Sequence, residues 1–370
     1  MSERLLQRFI RLCETPSITG DERAVADAVI HELEAAGIEV SEDEKAAEAR
    51  AGCGNLLARV PGNGEDYLMF CAHLDTVPHA EPIEVIESDG VYRSAGETIL
   101  GADNKAAVAV LVELAIATSE AERRPAVGIE LLLTPAEEDG LRGAHAFDLS
   151  GLRAERGYVL DHATPIGEII EAAPTYKQFS ATFSGVEAHA GIRPEAGHSA
   201  IEAAAAAIAA MDLGRLDSET TANVGTVEGG SALNVVPGSC RVEGEVRSVS
   251  PERAQEVLER TIDACTWAAG ESGCNVDVEV RELFRGYRLP RRSETVALAE
   301  RALSACGVEP HRVISGGGSD ANALRAKGFD AVLLANGTTD NHTPSESVAH
   351  ADLERMLEVC TRLVDEAAAC

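Results

Sequence analysis

The sequence predicts an α/β protein with an α+β unit inserted into it, and three observations carry that expectation. Short apolar runs of strand type alternate with segments of helical spacing up to Pro174. A half-exposed alternation, typical of antiparallel strands, begins just after that proline. The first pattern then returns after Pro290.

Taken in order, the N-terminal stretch Ser2-Glu3-Arg4-Leu5-Leu6-Gln7-Arg8-Phe9-Ile10 mixes charge and apolar residues as an amphipathic helix does, and it has no signal-peptide core. Residues 22–37 read as a helix, 67–72 as a buried strand, 104–118 as a helix, and 129–133 and 158–160 as two more strands. From 177 to 186, Phe179, Ala181 and Phe183 alternate with Gln178, Ser180 and Thr182. Then follow a helix at 197–211, strands at 223–227 and 240–246, a helix at 251–269 with Pro251 at its start, and a strand at 275–282. This β-α-β-β-α-β order is that of a ferredoxin-like unit. It places the insertion at residues 175–286, with 1–174 and 287–370 building the α/β domain from both ends. Helices at 293–306, 320–327 and 351–368 and a strand at 331–335 complete that domain, and Ser319 or Asp320 is expected to cap the helix after the glycine-rich Gly316-Gly317-Gly318 loop.

Composition excludes several classes of function. The chain has 370 residues, 45% of them hydrophobic, enough for sizeable cores. Its 32 Lys and Arg stand against 62 Asp and Glu, a net charge of −30. Nucleic-acid affinity comes largely from cationic side chains replacing counterions on phosphates, so no nucleic-acid partner is expected. Nor is a membrane partner, because there is no polybasic patch and the most apolar helical stretch, 203–211, is too short to span a bilayer. Nine cysteines are scattered, odd in number and without a CxxC pair, which suits a reduced, cytoplasmic protein.

Apolar strands of the α/β part run directly into acids or histidines. One leads into His73-Leu74-Asp75, another through Thr134-Pro135-Ala136 into Glu137-Glu138, a third into Asp161, and a fourth by a polar loop to His342. The loop Gly101-Ala102-Asp103-Asn104-Lys105 opens a helix. Ligands in open α/β sheets bind beyond the carboxyl ends of the strands, so these segments are expected to converge on one edge. Carboxylates so concentrated are costly unless a cation sits among them, and imidazole with carboxylate suits Zn²⁺, Mn²⁺ or Co²⁺. In His73-Leu74-Asp75 the two-residue spacing turns both side chains to one face, so Asp75 is expected to accept the spare N–H of the imidazole. Adjacent Glu137 and Glu138 point in different directions, leaving one free to ligate and the other to act as a base.

At these residues the chain resembles the M20 family of metallopeptidases, and within it the peptidase T-like branch. The resemblance rests on five motifs in family order: His73-Leu74-Asp75-Thr76-Val77-Pro78, Gly101-Ala102-Asp103-Asn104-Lys105, Glu137-Glu138-Asp139-Gly140, Gly185-Val186-Glu187-Ala188-His189-Ala190-Gly191 and His342-Thr343-Pro344-Ser345-Glu346. It implies a zinc-exopeptidase-type mixed sheet flanked by helices, with residues 175–286 forming a lid and dimerisation domain. It also implies two Zn²⁺ per subunit, or Co²⁺ or Mn²⁺, bridged by Asp103. His73 and Asp161 would complete one site, and Glu138 and His342 the other. Asp75 would orient a ligand, and Glu137 would be the general base for a zinc-activated water. His189, Asn234 and Arg247 resemble substrate-contacting positions, His189 reaching the neighbouring subunit of a homodimer.

The expected activity is removal of an N-terminal residue from di- and tripeptides. A second reading on the same scaffold is an N-acyl-amino-acid amidohydrolase, and a third is a catalytically silent binding protein. The intact Glu137 and complete ligand set argue against the third. His162, next to Asp161, is a small departure from the family pattern that could be mistaken for a ligand, while His31, His79, His145, His198, His311 and His350 read as structural or exposed.

Overall fold

Two units of different construction make up the computed structural model, which describes residues 3–80, 82–163 and 165–368. The first takes in the described residues of Met1–Glu171, Leu289–Ile314 and Ser319–Cys370, the second Ala172–Arg288 and Ser315–Gly318.

The chain opens with α1 (Glu3–Glu14), α2 (Arg23–Ala35), β1 (Glu39–Glu42), α3 (Ala46–Ala49), β2 (Leu56–Val60) and β3 (Tyr67–His73). It continues with β4 (Val85–Ser88), β5 (Val91–Ser94), α4 (Ala102–Glu120), β6 (Gly128–Thr134), α5 (Arg142–Ala146), β7 (Arg156–His162) and β8 (Glu168–Ala173). The second unit supplies β9 (Thr175–Ser184), β10 (Ala188–His189), α6 (Ala200–Ala210), β11 (Gly214–Asp217), β12 (Thr220–Gly229), β13 (Val235–Val236), β14 (Ser239–Ser248), α7 (Pro251–Glu271), β15 (Asn275–Phe284) and β16 (Tyr287–Arg288). The return adds α8 (Glu294–Ala305), β17 (His311–Ile314), α9 (Asp320–Ala326), β18 (Asp330–Ala335), β19 (Thr338–Thr339), β20 (Ser347–Ala349) and α10 (His350–Ala367).

In the first unit the large sheet runs β1-β2-β6-β3-β7-β18-β8, with β17 also paired to β8. Its centre, β6-β3-β7-β18, is parallel, while β2 and β8 join antiparallel on either side. β6 is buried at every position and β3 at every position but Tyr67, as strands covered on both faces must be. Parallel pairing brings the carboxyl ends of β3, β6, β7 and β18 to one edge of the sheet, and this is what positions the site. Helix α4 packs on β2, β3, β6 and β7 beneath α1, α2 and α10. Its unbroken burial from Asn104 to Ile116 explains a composition of alanine, valine and leucine rather than an amphipathic stripe.

One ion-pair cluster ties α1 to α4. Arg8 is 1% exposed and donates to Glu113 Oε2 at 2.7 Å and to Glu32 Oε1 at 2.7 Å, while Arg4 donates to Glu113 Oε1 at 2.8 Å. Burial disfavours the charged form of Glu113, but hydrogen bonds from Arg4 and Arg8 outweigh it and hold the carboxyl below its usual range. Removing one partner of a buried pair strands the other, so Arg8→Met is expected to lower unfolding stability by about 3 kcal/mol in urea melts at neutral pH. A depressed carboxylate pKa stabilises above the unfolded value and is lost as pH falls through the folded one. The gap between wild type and variant should therefore narrow on acidification, and a gap independent of pH would refute this account.

In the second unit all pairings of the sheet β11-β12-β14-β9-β15 are antiparallel. Phe179, Ala181, Phe183 and Val242 pack with Ala203, Ala207, Leu258 and Cys265 of α6 and α7, so the alternation read from the sequence has its apolar half under these helices. Ser250 caps α7 by accepting the N–H of Arg253, with Pro251 in the first turn. Helix α6 begins at Ala200 rather than at 197, because Pro194–Ala196 forms its own turn and the Ser199 hydroxyl caps the helix by accepting the Glu202 N–H. Strand β11, the ribbon β10–β13 and the small sheet β19-β20-β5-β4 are absent from the sequence expectation. β11 is polar and mostly exposed, and the others are too short to show a period. Among the described residues all eight cysteines are free, and no helix is long and apolar enough to cross a membrane.

Candidate metal centre

Three of the four parallel strands lead into acidic or imidazole side chains at the common edge. β3 ends on His73, and Asp161 is the penultimate residue of β7. β6 leads through a buried Ala136 in left-handed backbone (φ 53°) to Glu137 and Glu138. Asp103 lies where α4 starts, at a point where Asp103 and Asn104 depart from helical geometry. His342 follows β19 and is itself left-handed (φ 65°). Non-glycine residues in that region cost energy, and here they sit beside the candidate base and on the last candidate ligand.

These side chains meet. His73 Nε2 is 3.2 Å from Asp103 Oδ1 and 3.3 Å from Asp161 Oδ1. His342 Nε2 is 3.2 Å from Asp103 Oδ2 and 3.0 Å from Glu138 Oε1. The two oxygens of Asp103 thus face two different imidazoles. Three sets have donor atoms within 4.8 Å of one another: His73 with Asp103 and Asp161, Asp103 with Glu138 and His342, and His73 with Glu137 and Glu138. The first two share Asp103, and the third brings Glu137 beside them.

Charge fits a cation here. Glu138 Oε1 is buried and receives no hydrogen bond, an atom that a cation would satisfy. The Asp103 and Glu138 carboxylates beside its ring push His342 up to about 10. Burial opposes the charge on His73, but Asp161 and Asp103 overcome it and raise its pKa. Burial likewise raises Asp161 to about 7, and burial with the nearby Asp161 charge raises Glu137 well above an ordinary glutamate. So arranged, the cluster gathers protons, and imidazole nitrogen with carboxylate oxygen is a donor set for borderline divalent metals.

The supporting contacts come from distant segments. Asp75 is fully buried and accepts the N–H groups of Glu137 at 2.9 Å and Glu138 at 3.2 Å, and the Thr19 hydroxyl at 2.7 Å. It differs from expectation in one respect. His73 Nδ1 contacts the main-chain oxygen of Asp75 at 2.9 Å, while the carboxylate is 3.6 Å away, beyond a good hydrogen bond. The backbone thus orients the imidazole, and the carboxylate fixes the Glu137-Glu138 turn.

Further residues of the site escaped the sequence reading. Glu346 accepts the N–H groups of Leu100, Gly101 and Asp103, each at 2.8 Å, and so holds the loop that carries Asp103. Asn341 donates to Asp103 Oδ2 at 2.9 Å, and Asn104 to Asp161 Oδ1 at 3.1 Å. Glu346 and Asn104 stood inside quoted motifs, the one signal that could have marked them. Ser319, not Asp320, caps α9 by accepting the Ala321 N–H, whereas buried Asp320 accepts the Thr134 hydroxyl behind the site. His162 pairs with Glu168 at 3.2 Å.

The three substrate-contact candidates lie in the second unit. The β10–β13 ribbon brings His189 and Asn234 together: both are exposed, and Ala190 N–H donates to the Asn234 carbonyl at 2.9 Å. Arg247 lies apart from them on β14, with its guanidinium 4.1 Å from the ring centre of Tyr176.

A mixed α/β sheet whose parallel edge gathers such an imidazole–carboxylate cluster is the architecture of a metal-dependent hydrolase. Residues 69–366 match the model of the family described as Peptidase family M20/M25/M40, and the chain belongs to that family. It is 35% identical over 367 residues, 99% of each chain, to the uncharacterized protein YqjE of Bacillus subtilis. Among solved structures it is similar to aminopeptidase PepT from Bacillus cereus, at 37% identity and a TM-score of 0.91, covering 100% of this chain and 99% of that one. It is also similar to a tripeptidase from Staphylococcus aureus, at 33% identity and a TM-score of 0.95 with the same coverage.

Proposed function

We propose that this chain is a dizinc exopeptidase that removes the N-terminal residue from short peptides. The observation that carries the reading is the pair of donor sets sharing Asp103, with Glu137 alongside. His73 and Asp161 would hold one ion, Glu138 and His342 the other, and Asp103 both; Zn²⁺ suits the set, as do Co²⁺ and Mn²⁺. Bound there, divalent metal supplies Lewis-acid polarisation of the scissile carbonyl and lowers the pKa of water.

Glu137 does the proton work. Its place beside the two donor sets suits it to take a proton from water and pass it to the leaving amine. Asp75 keeps the carboxylate in place through the Glu137 main chain. Arg247 holds the substrate's carboxylate, since a guanidinium meets carboxylate as a two-pronged donor. Asn234 and His189 complete the substrate contacts, His189 from the neighbouring subunit of a homodimer. The free cysteines support a reducing, cytoplasmic setting.

A comparison of kcat/KM for a free tripeptide, its N-acetyl form and N-acetyl amino acids tests the substrate class. The free tripeptide should be turned over at least about tenfold faster, the order of discrimination expected when a site's polar groups are left unpaired by the wrong substrate. Faster turnover of the acetylated compounds would replace the aminopeptidase reading by the amidohydrolase one.

A further inference from the structure

The inference rests on the exopeptidase reading and concerns how Arg247 is presented to the substrate's carboxylate. A guanidinium has five N–H donors. Arg247 spends three of them inside its own unit. Nε donates to Glu245 Oε1 at 3.0 Å, Nη2 to Glu245 Oε2 at 3.2 Å, and Nη1 to the Gly316 carbonyl at 3.3 Å. Tyr176 covers one face of the group. One N–H remains on each Nη nitrogen, enough for one carboxylate.

The pairing follows from strand geometry. Glu245 and Arg247 are two residues apart on β14 and so point to the same side, opposite Gln178 and Tyr176 of β9. That side is the one away from the α6–α7 core, and it holds a cavity of about 440 Å³ lined by Tyr176, Gln178, Asn223, Arg241, Glu243 and Glu245 among others. Arg247 and Glu245 are only 28% and 30% exposed, so their charges are partly shielded from water. Glu245 thus stands between the guanidinium and the space beside it. A substrate group next to the bound carboxylate meets an anion already balanced against Arg247.

We propose that Glu245 is a specificity-determining residue, which limits Arg247 to one carboxylate and disfavours substrates whose carboxylate-bearing residue has an acidic side chain. Placing like charges side by side is a means of rejecting a wrong ligand. A neutral or basic side chain at that residue avoids the repulsion, and a lysine is attracted.

The test uses the full-length, metal-loaded protein with Ala-Ala-Ala, Ala-Ala-Lys and Ala-Ala-Glu. In the wild type, kcat/KM for Ala-Ala-Glu should be roughly tenfold below that for Ala-Ala-Ala, mainly through KM. Glu245→Gln should bring the ratio close to one, and Glu245→Asp, which keeps the charge, should preserve the wild-type preference. A purely structural role would lower all three substrates in proportion and leave the ratio unchanged, and that result overturns the proposal. Cleavage of Ala-Ala-Ala by the wild type tests the exopeptidase reading separately. Should N-acetyl amino acids be cleaved instead, the same ratio read on N-acetylalanine and N-acetylglutamate decides the role of Glu245.

Discussion

Replacing Glu137 by glutamine is expected to lower kcat by about a hundred- to ten-thousand-fold, the range for losing a positioned acid–base group. The amide keeps the shape of the side chain and its main-chain bond to Asp75, so bound metal should stay near the wild-type content. Glu138→Gln should behave differently. Its Oε1 faces His342 within one donor set, so the amide should weaken one ion and lower metal content along with turnover. Metal analysis beside kcat separates the two variants, and equal metal loss in both would refute the division of labour between the adjacent glutamates.

Removal of metal by a chelator should abolish hydrolysis, a fall of at least about a thousandfold, because the Lewis-acid contribution is worth several kcal/mol. Added zinc, cobalt or manganese should restore it. The same treatment should lower the melting temperature, since an ion bound only by the folded chain stabilises it by about 2.7 kcal/mol at a hundred times its Kd. Asp103→Ala should mimic chelation more completely than loss of any other single donor, because its two oxygens serve both sets. Metal-free protein with full activity would end the reading of this cluster as a catalytic metal centre.

The sequence made the layered α/β architecture and the central strands legible because both depend on burial. Strands covered on two faces read as near-continuous apolar runs, 68–72 without a break and 129–133 broken only by Glu130, which Arg59 pairs, and their polar ends stand out against that run. His73, Glu137, Glu138 and Asp161 were visible for this reason. Less visible was everything that works through a main-chain N–H. Glu346 acts on Leu100, Gly101 and Asp103, well over two hundred residues away along the chain, and no local periodicity records such a partner. Asp75 shows the same limit. Its spacing from His73 suggested a side-chain contact, but a carboxylate beside a turn of free N–H groups satisfies two of them instead. Short or polar strands such as Gly214–Asp217 escaped because pairing, not burial, holds them.

The position of β18 has a consequence for how the chain comes off the ribosome. This strand lies between β7 and β8, yet it begins only at Asp330, after the whole of the second unit. Until then the apolar Tyr158-Val159-Leu160 of β7 has β3 on one side and an open hydrogen-bonding edge on the other. The 172–288 segment holds every strand of its own sheet and can pair first, while the unit that began synthesis waits to close. The nascent chain therefore carries an exposed, aggregation-prone strand edge while residues 163–329 are being made. Stop codons falling before β18 should give insoluble product rather than a shortened, soluble one.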